Sequence, residues 1–147
     1  MAFQTMQHSS VIDALRRHGF KATPQRIAIC NFALNSRDHP NAQRIYKEVK
    51  RLHPTVSLAT VYKTLRVLRQ IRLVQELTFP EGESRYDPNM EPHLNVLCLQ
   101  CGEVIDLKDH STREIITRVA ARTRYTVTEQ RFDIYGICEN CKRKRKN

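Results

Sequence analysis

The spacing of apolar residues in the first half of the chain predicts α-helices. Apolar side chains recur every three or four residues in four successive segments, the period at which they share one helix face. Residues that cap or end helices separate these segments. Gly19 is suited to end the first helix, and Thr23 followed by Pro24, Asn41 and Ser57 are suited to begin the next three.

The third and fourth segments carry apolar stripes and are followed by a predicted hairpin. Ile45, Val49 and Leu52 share a face of the third helix. The stripe of the fourth helix consists of Leu58, Val61, Leu65 and Leu68. Two strand-like runs, 73–79 and 84–87, are joined by a turn at 80–83. Helices followed by such a hairpin indicate a winged helix-turn-helix.

Shorter elements are predicted in the second half of the chain. The runs 94–97 and 103–107 are typical of strands, and the alternation over 126–134 predicts another. Between them, a capping box at 111–114 opens a helix with Ile115, Ile116 and Val119 on its inward face. The strand at 94–97 would leave an edge of this small β-α-β unit uncovered, and a two-fold dimer joining two sheets would cover it.

A proline-bearing stretch divides the chain into two predicted domains. Pro88 and Pro92 interrupt both helix and central strand, so we predict a DNA-binding domain at 1–87, a hinge at 88–92 and a dimerisation domain at 93–147. The fold class is therefore α+β, with an N-terminal winged helix-turn-helix and a small C-terminal α/β domain. The basic run 142–146 is expected to be a disordered tail.

Charge indicates the class of partner. The formal net charge is +10, of which residues 1–87 carry +7. A basic domain of this kind indicates a polyanionic binding partner, and nucleic acid is the first candidate. No apolar run approaches the length of about 20 residues that spans a bilayer, and the N-terminus lacks a signal sequence. We therefore expect a cytoplasmic protein with no membrane partner.

The fourth helix is the candidate recognition helix. Its polar positions are expected to face away from the core and to contact double-stranded DNA, and they comprise Thr60, Lys63, Thr64 and Arg66, with Tyr62 at the edge. Every amphipathic helix also has a solvated face, which is the alternative interpretation. The basic charge and the hairpin favour DNA.

Two Cys-x-x-Cys pairs form the strongest motif of the chain. Cys98, Cys101, Cys138 and Cys141 can bind a structural Zn²⁺ in a tetrahedron of thiolates. A redox dithiol and unrelated thiols are the alternatives, and the matched spacing of the two pairs disfavours both. Cys30 lies on the apolar side of the second helix and is expected to be a buried structural residue.

Six motifs, taken in order, resemble the ferric uptake regulator (Fur) family, and most closely its peroxide-repressor (PerR) branch. They lie at 23–26, 38–40, 59–62, 84–87, 98–102 and 134–138, and the likeness extends over about residues 11–141. The resemblance implies a metal-dependent dimeric repressor rather than an enzyme, with a palindromic operator. It also implies that Tyr62 and Lys63 contact the operator and that Lys21 assists at the DNA backbone or minor groove.

The same resemblance implies a second, regulatory metal ion, Fe²⁺ or Mn²⁺. Its ligands correspond to His39, Asp87, His93 and Asp106, with Asn95 at a fifth position where the branch usually has His. An aspartate at 106 is typical of the peroxide branch, in which His39 and His93 correspond to the oxidised ligands. Peroxide and metal ions would be the only small molecules involved. Iron, manganese or zinc sensing without a peroxide response remains open, as does a metalloenzyme.

Overall fold

The computed structural model describes residues 8–79 and 82–145, and the chain divides into two compact units, Met1–Met90 and Glu91–Asn147. Two residues of the predicted hairpin turn, 80 and 81, lie outside the described residues. The elements in chain order are α1 His8–Arg17, α2 Pro24–Asn35, α3 Ala42–Leu52, α4 Leu58–Gln70, β1 Gln75–Leu77, β2 Arg85–Asp87, β3 Leu94–Cys98, β4 Val104–Leu107, α5 His110–Thr123, β5 Phe132–Gly136 and α6 Glu139–Arg145. None of the described helices is both long and apolar enough to cross a membrane.

The helices of the first unit begin and end at the predicted caps. The side-chain oxygens of Thr23, Asn41 and Ser57 each accept the backbone N–H three residues later. After α1, Gly19 adopts a φ of +78°, a left-handed conformation that glycine adopts without strain. Local side-chain chemistry thus sets the boundaries of these helices.

Helices α2, α3 and α4 pack around one hydrophobic core, which includes Ile29, Ile45 and Leu65 as fully buried side chains. The prediction that Leu52 shares the buried face of α3 is wrong, since this residue is 81% exposed. Leu52 is the last residue of α3. The apolar stripe is therefore buried at Ile45 and Val49 and leaves the core at the end of the helix.

A short antiparallel hairpin completes the first unit. Strands β1 and β2 are three residues each, shorter than the predicted runs, and pair with Gln75 opposite Asp87. Val74 and Phe79 flank β1 and are buried without belonging to a strand. Burial in the core therefore gave these flanking residues their strand-like pattern. Four helices followed by this hairpin form the winged helix-turn-helix, so that prediction is confirmed.

The second unit contains a three-stranded sheet in the order β4-β3-β5. Strand β3 is central, antiparallel to β4 and parallel to β5, so the prediction that it leaves an open edge is wrong. Strand β5 begins at Phe132 rather than at 126. Its partner β3 begins at Leu94, opposite Phe132, and residues before 132 therefore have no strand to pair with.

Helix α5 differs from its prediction in both its cap and its burial. Its N-cap is Asp109, whose carboxylate accepts the Ser111 N–H at 2.8 Å, and not Ser111 itself. Hydrogen bonds from the Ser111 hydroxyl and then from its backbone N–H lower the pKa of Asp109. Ile115 and Val119 were expected inside, but both are exposed in the single chain. The helical period identified a shared apolar face without identifying what covers it.

The C-terminal basic run is helical as far as Arg145, so the expectation of a disordered tail is wrong for the described residues. Helix α6 begins just after Cys138, and Cys141 in its first turn is buried. Arg143 forms an ion pair with Glu139 one turn earlier at 3.2 Å. Anchoring of the first turn and this pair explain why the basic residues continue a helix.

Candidate metal centres and nucleic-acid interface

The four predicted zinc ligands converge at one end of the sheet. Cys98 ends β3, Cys101 lies in the following turn, and Cys138 and Cys141 flank the start of α6. All four sulfur atoms lie within 4.8 Å of one another, and the Sγ atoms of Cys101 and Cys138 are 3.8 Å apart. Tetrahedral zinc with bonds of about 2.3 Å places its sulfurs about 3.8 Å apart. The cluster therefore fits Zn²⁺ with all four positions filled by protein.

A backbone hydrogen bond stabilises the thiolate form of one cysteine in this cluster. The Cys138 N–H donates to Cys98 Sγ at 3.3 Å, and this bond is the main reason why the pKa of Cys98 is lowered to about 6. The pKa of Cys141 is raised to about 12, first by its hydrogen bond with Cys138 and then by burial. Metal binding must therefore displace protons, and zinc affinity will rise with pH.

Cys30 does not belong to the cluster. It is fully buried in the core of the first unit, and burial raises the pKa of its thiol to about 12. A protonated, inaccessible thiol is a poor nucleophile and a poor metal ligand. The structure thus supports the expected packing role.

In the first unit, His39 and Asp87 form a buried pair. His39 Nε2 lies 3.9 Å from Asp87 Oδ1, and both side chains are almost inaccessible. The segment carrying His39 is held against β2, because Tyr86 N–H donates to Pro40 O at 3.0 Å. His39 has a φ of +49°, which is unfavourable for a non-glycine residue and is typically retained where function requires it.

Neighbouring groups orient the Asp87 carboxylate. Gln75 Nε2 donates to Asp87 Oδ2 at 2.8 Å, and the Asn89 N–H donates to Oδ1 at 2.7 Å. Gln75 is not among the site residues predicted from the sequence. Its role becomes apparent from the register of the hairpin strands, in which Gln75 is the cross-strand partner of Asp87.

In the second unit, His93, Asn95 and Asp106 converge. His93 Nδ1 lies 2.7 Å from the Glu91 carbonyl, which can only accept, so Nδ1 carries the proton. In the neutral ring, Nε2 then presents a lone pair. It lies 3.2 Å from Asn95 Oδ1 and 3.5 Å from Asp106 Oδ1. Two acceptor oxygens close to the lone pair of Nε2 suit a cation.

The chemistry of these donors fits a first-row divalent metal. Imidazole nitrogen with carboxylate and amide oxygen suits Fe²⁺, Mn²⁺ or Zn²⁺. Metal–ligand bonds of about 2.1 Å place adjacent donor atoms about 3.0–3.4 Å apart. The spacings around His93 Nε2 are close to this range. The structure thus describes His39 with Asp87 as one pair and His93 with Asn95 and Asp106 as one cluster.

The predicted DNA-contacting residues differ in their accessibility. On α4, Tyr62 is 47% exposed, Lys63 and Arg66 are exposed, and Thr60 is half-buried. Thr64 is fully buried, and its hydroxyl donates to the Thr60 carbonyl at 2.8 Å. The prediction that Thr64 contacts DNA is therefore wrong, because its side chain belongs to the core.

Lys21 lies outside α4, in the connection before α2. It is exposed, and its carbonyl oxygen accepts Arg26 Nη1 at 2.7 Å. This bond fixes the backbone of the connection while the Lys21 ammonium group remains available to a phosphate.

Comparison with known proteins agrees with this architecture. The profile of the ferric uptake regulator family matches residues 17–135, which is most of the chain. The chain belongs to the ferric uptake regulator family. It is 38% identical over 133 residues to the peroxide-responsive repressor PerR of Staphylococcus aureus (strain Mu50), covering 90% of each chain.

Solved structures of this family share the fold. The Campylobacter jejuni peroxide stress regulator has a TM-score of 0.74 and 32% identity, with 92% of this chain and 100% of that one covered. The Helicobacter pylori ferric uptake regulator has a TM-score of 0.79 at 20% identity, covering 94% and 95%.

Family membership confirms the predicted class of function. The protein is a metal-dependent DNA-binding transcriptional repressor and not an enzyme. Regulators of this family bind DNA and form dimers. The exposed apolar residues of α5 are therefore consistent with a surface that a second protomer covers.

Proposed function

We propose that this ferric uptake regulator family protein represses transcription until peroxide lowers its affinity for DNA, using Fe²⁺ or Mn²⁺ as its regulatory metal. The convergence of His93 Nε2, Asn95 Oδ1 and Asp106 Oδ1 carries the proposal, since it presents imidazole and oxygen donors together. The similarity to the peroxide-responsive repressor of S. aureus supports the peroxide signal.

The regulatory ion takes ligands from both units in this proposal. His39 and Asp87 come from the first unit, and His93, Asn95 and Asp106 come from the second. An ion bound by both groups would restrict the units to one relative arrangement. Metal binding would then select the DNA-binding state because that state has the higher metal affinity.

The zinc cluster has a structural role in the same proposal. Zn²⁺ at Cys98, Cys101, Cys138 and Cys141 would stabilise the small sheet. The face of this sheet that carries Ile105, Val96 and Ile134 as cross-strand neighbours is partly exposed and apolar. A two-fold dimer that buries this face would present two winged helices to a palindromic operator.

Metal sensing without a peroxide response is the second candidate. Asn95 favours it, because an amide oxygen is a neutral and weaker donor than imidazole. This candidate shares the ligands, the dimer and the operator. It differs in leaving His39 and His93 unmodified by peroxide.

The metal dependence of DNA binding tests the proposal. The probe is a duplex selected from a random pool by the Mn²⁺-loaded protein. We expect Mn²⁺ to raise affinity about 5- to 150-fold, the usual range of coupling between two sites. His39→Ala and His93→Ala should each abolish this increase, because each removes a ligand from a different unit. Fluorescence anisotropy titrations measure the affinities.

His110→Ala is the matched control. His110 is exposed at the start of α5, so its loss should leave the Mn²⁺ effect intact. Wild-type protein that binds the duplex equally well with Mn²⁺ and with a chelator would contradict the proposal. Loss of the effect in only one of the two histidine variants would contradict an ion shared between the units.

Substitutions on α4 test the DNA surface. We expect Tyr62→Ala and Arg66→Ala each to weaken operator binding by about 1–3 kcal/mol, because exposed side chains of a recognition helix contact base edges. Thr64→Val should leave operator selectivity unchanged, since Thr64 is buried. Competition between operator and unrelated duplexes measures selectivity.

Lys21→Ala tests a different kind of contact. We expect binding to weaken similarly on all sequences and the salt dependence to fall by about one unit of slope, because Lys21 would neutralise a phosphate. Titrations at several salt concentrations measure the slope. An unchanged slope would remove Lys21 from the interface.

A further inference from the structure

Three polar side chains form a row across the sheet of the second unit. Asn95 in the central strand β3 is the cross-strand partner of Asp106 in β4 and of Asp133 in β5. Cross-strand partners lie side by side on the same face of a sheet. Asn95 is only 2% exposed and thus has a carboxylate on each side.

Asp133 determines which end of the Asn95 amide faces His93. Asn95 Nδ2 donates to Asp133 Oδ1 at 3.2 Å. A carboxylate only accepts hydrogen bonds, so it selects the NH₂ end of the amide. The other end, Oδ1, is consequently directed to His93 Nε2 at 3.2 Å.

Two further residues hold Asp133 itself. Arg131 Nη2 lies 2.6 Å from Asp133 Oδ2, and the Tyr135 hydroxyl donates to the same oxygen at 3.3 Å. Oδ1 therefore remains directed to Asn95. The guanidinium of Arg131 also compensates the charge of Asp133, which reduces its direct attraction for a cation.

The orientation of an amide matters to a cation because its two ends have opposite character. Oδ1 can coordinate a metal ion, whereas the NH₂ group directs two protons at it. We propose that Asp133 is a positioning residue of the regulatory metal site, which keeps Oδ1 of Asn95 available as a ligand. This inference rests on the proposed function, since it requires the metal to bind at His93 and Asn95.

A double-mutant cycle tests the inference with zinc-containing protein and Mn²⁺ as the probe. Asp133→Ala should lower Mn²⁺ affinity about tenfold, the lower end of the range for groups that orient metal ligands. Asn95→Asp makes both oxygens equivalent, so no orientation needs to be fixed. In that background, Asp133→Ala should change the affinity much less. The paramagnetic resonance signal of free Mn²⁺ measures each affinity.

The cycle separates positioning from other roles. A purely structural or electrostatic role of Asp133 lowers affinity equally in both backgrounds, which would overturn the inference. Glu114→Ala removes an exposed carboxylate from α5 and should leave Mn²⁺ affinity unchanged. Thermal unfolding without Mn²⁺ checks that each variant is folded.

Arg131→Ala provides a second test should Asp133→Ala fail to fold. It releases Asp133 but retains the acceptor, so we expect a smaller loss of Mn²⁺ affinity in the wild-type background and none in the Asn95→Asp background. Equal losses in the two backgrounds would again overturn the inference. A wild-type protein that binds no Mn²⁺ would overturn the proposed regulatory site as well, which distinguishes the two failures.

Discussion

Cys98→Ser is expected to release the zinc ion and unfold the second unit, so that the protein is no longer a dimer. A structural zinc site contributes about 10 kcal/mol or more to the folding of small domains, which is comparable to the whole stability of a domain. Cys98 also joins β3 to the cluster. Loss of this ligand therefore affects both the metal and the central strand.

Zinc content, sedimentation and circular dichroism measure this result. We expect one zinc ion per protomer in the wild type, and loss of zinc together with loss of the dimer in the variant. Cys30→Ala is the matched control, because it removes a thiol buried in the other unit. It should keep the zinc and the dimer. A Cys98→Ser protein that stays dimeric and retains its zinc would contradict the structural role.

The helices of the first unit could be predicted because their signals are local. The side chains of Thr23, Asn41 and Ser57 bond to the backbone three residues away, and such bonds depend only on nearby sequence. The start of β5 could not be predicted in this way. It depends on where β3 begins, almost 40 residues earlier, and alternation over 126–131 contains no information about that partner.

Burial was harder to predict than secondary structure. Thr64 lies on α4 three residues after the buried Val61, and its hydroxyl is satisfied by the Thr60 carbonyl, which permits burial. A polar residue type alone does not reveal such a bond. Ile115 shows the converse, because a helical period cannot distinguish a face buried in the core from an apolar face that is exposed in the single chain.

The residues that orient the candidate ligands could be identified only in the structure. The resemblance pointed to Asp87 and Asn95, but neither Gln75 nor Asp133 has a motif of its own. Each becomes apparent only from strand register, as the cross-strand partner of a ligand. Sequence motifs therefore indicated which atoms would bind a metal, and the sheet showed what directs those atoms.

Peroxide treatment of the Fe²⁺-loaded protein is expected to add one oxygen atom to His39 or His93 and to lower DNA affinity to the metal-free level. Fe²⁺ held by these residues would let one molecule of H₂O₂ oxidise an adjacent imidazole by two electrons, with one oxygen atom added to the ring and the other leaving as water. His39 and His93 are both nearly inaccessible, whereas His110 is exposed. Oxidation confined to the two buried imidazoles therefore indicates an oxidant generated at the site rather than in bulk solvent.

Mass spectrometry of peptides, paired with DNA titrations, measures the response. The oxygen should appear with Fe²⁺ and be absent with Mn²⁺, which should support DNA binding without this reaction. The His110 peptide should remain unmodified in both samples. An oxidised imidazole donates poorly to a metal, so release of the ion should follow and reverse the gain in affinity of about 5- to 150-fold. Unmodified peptides with Fe²⁺ bound, and a DNA affinity unchanged by peroxide, would favour metal sensing alone. Asn95 would then be the residue that distinguishes this protein from a peroxide sensor.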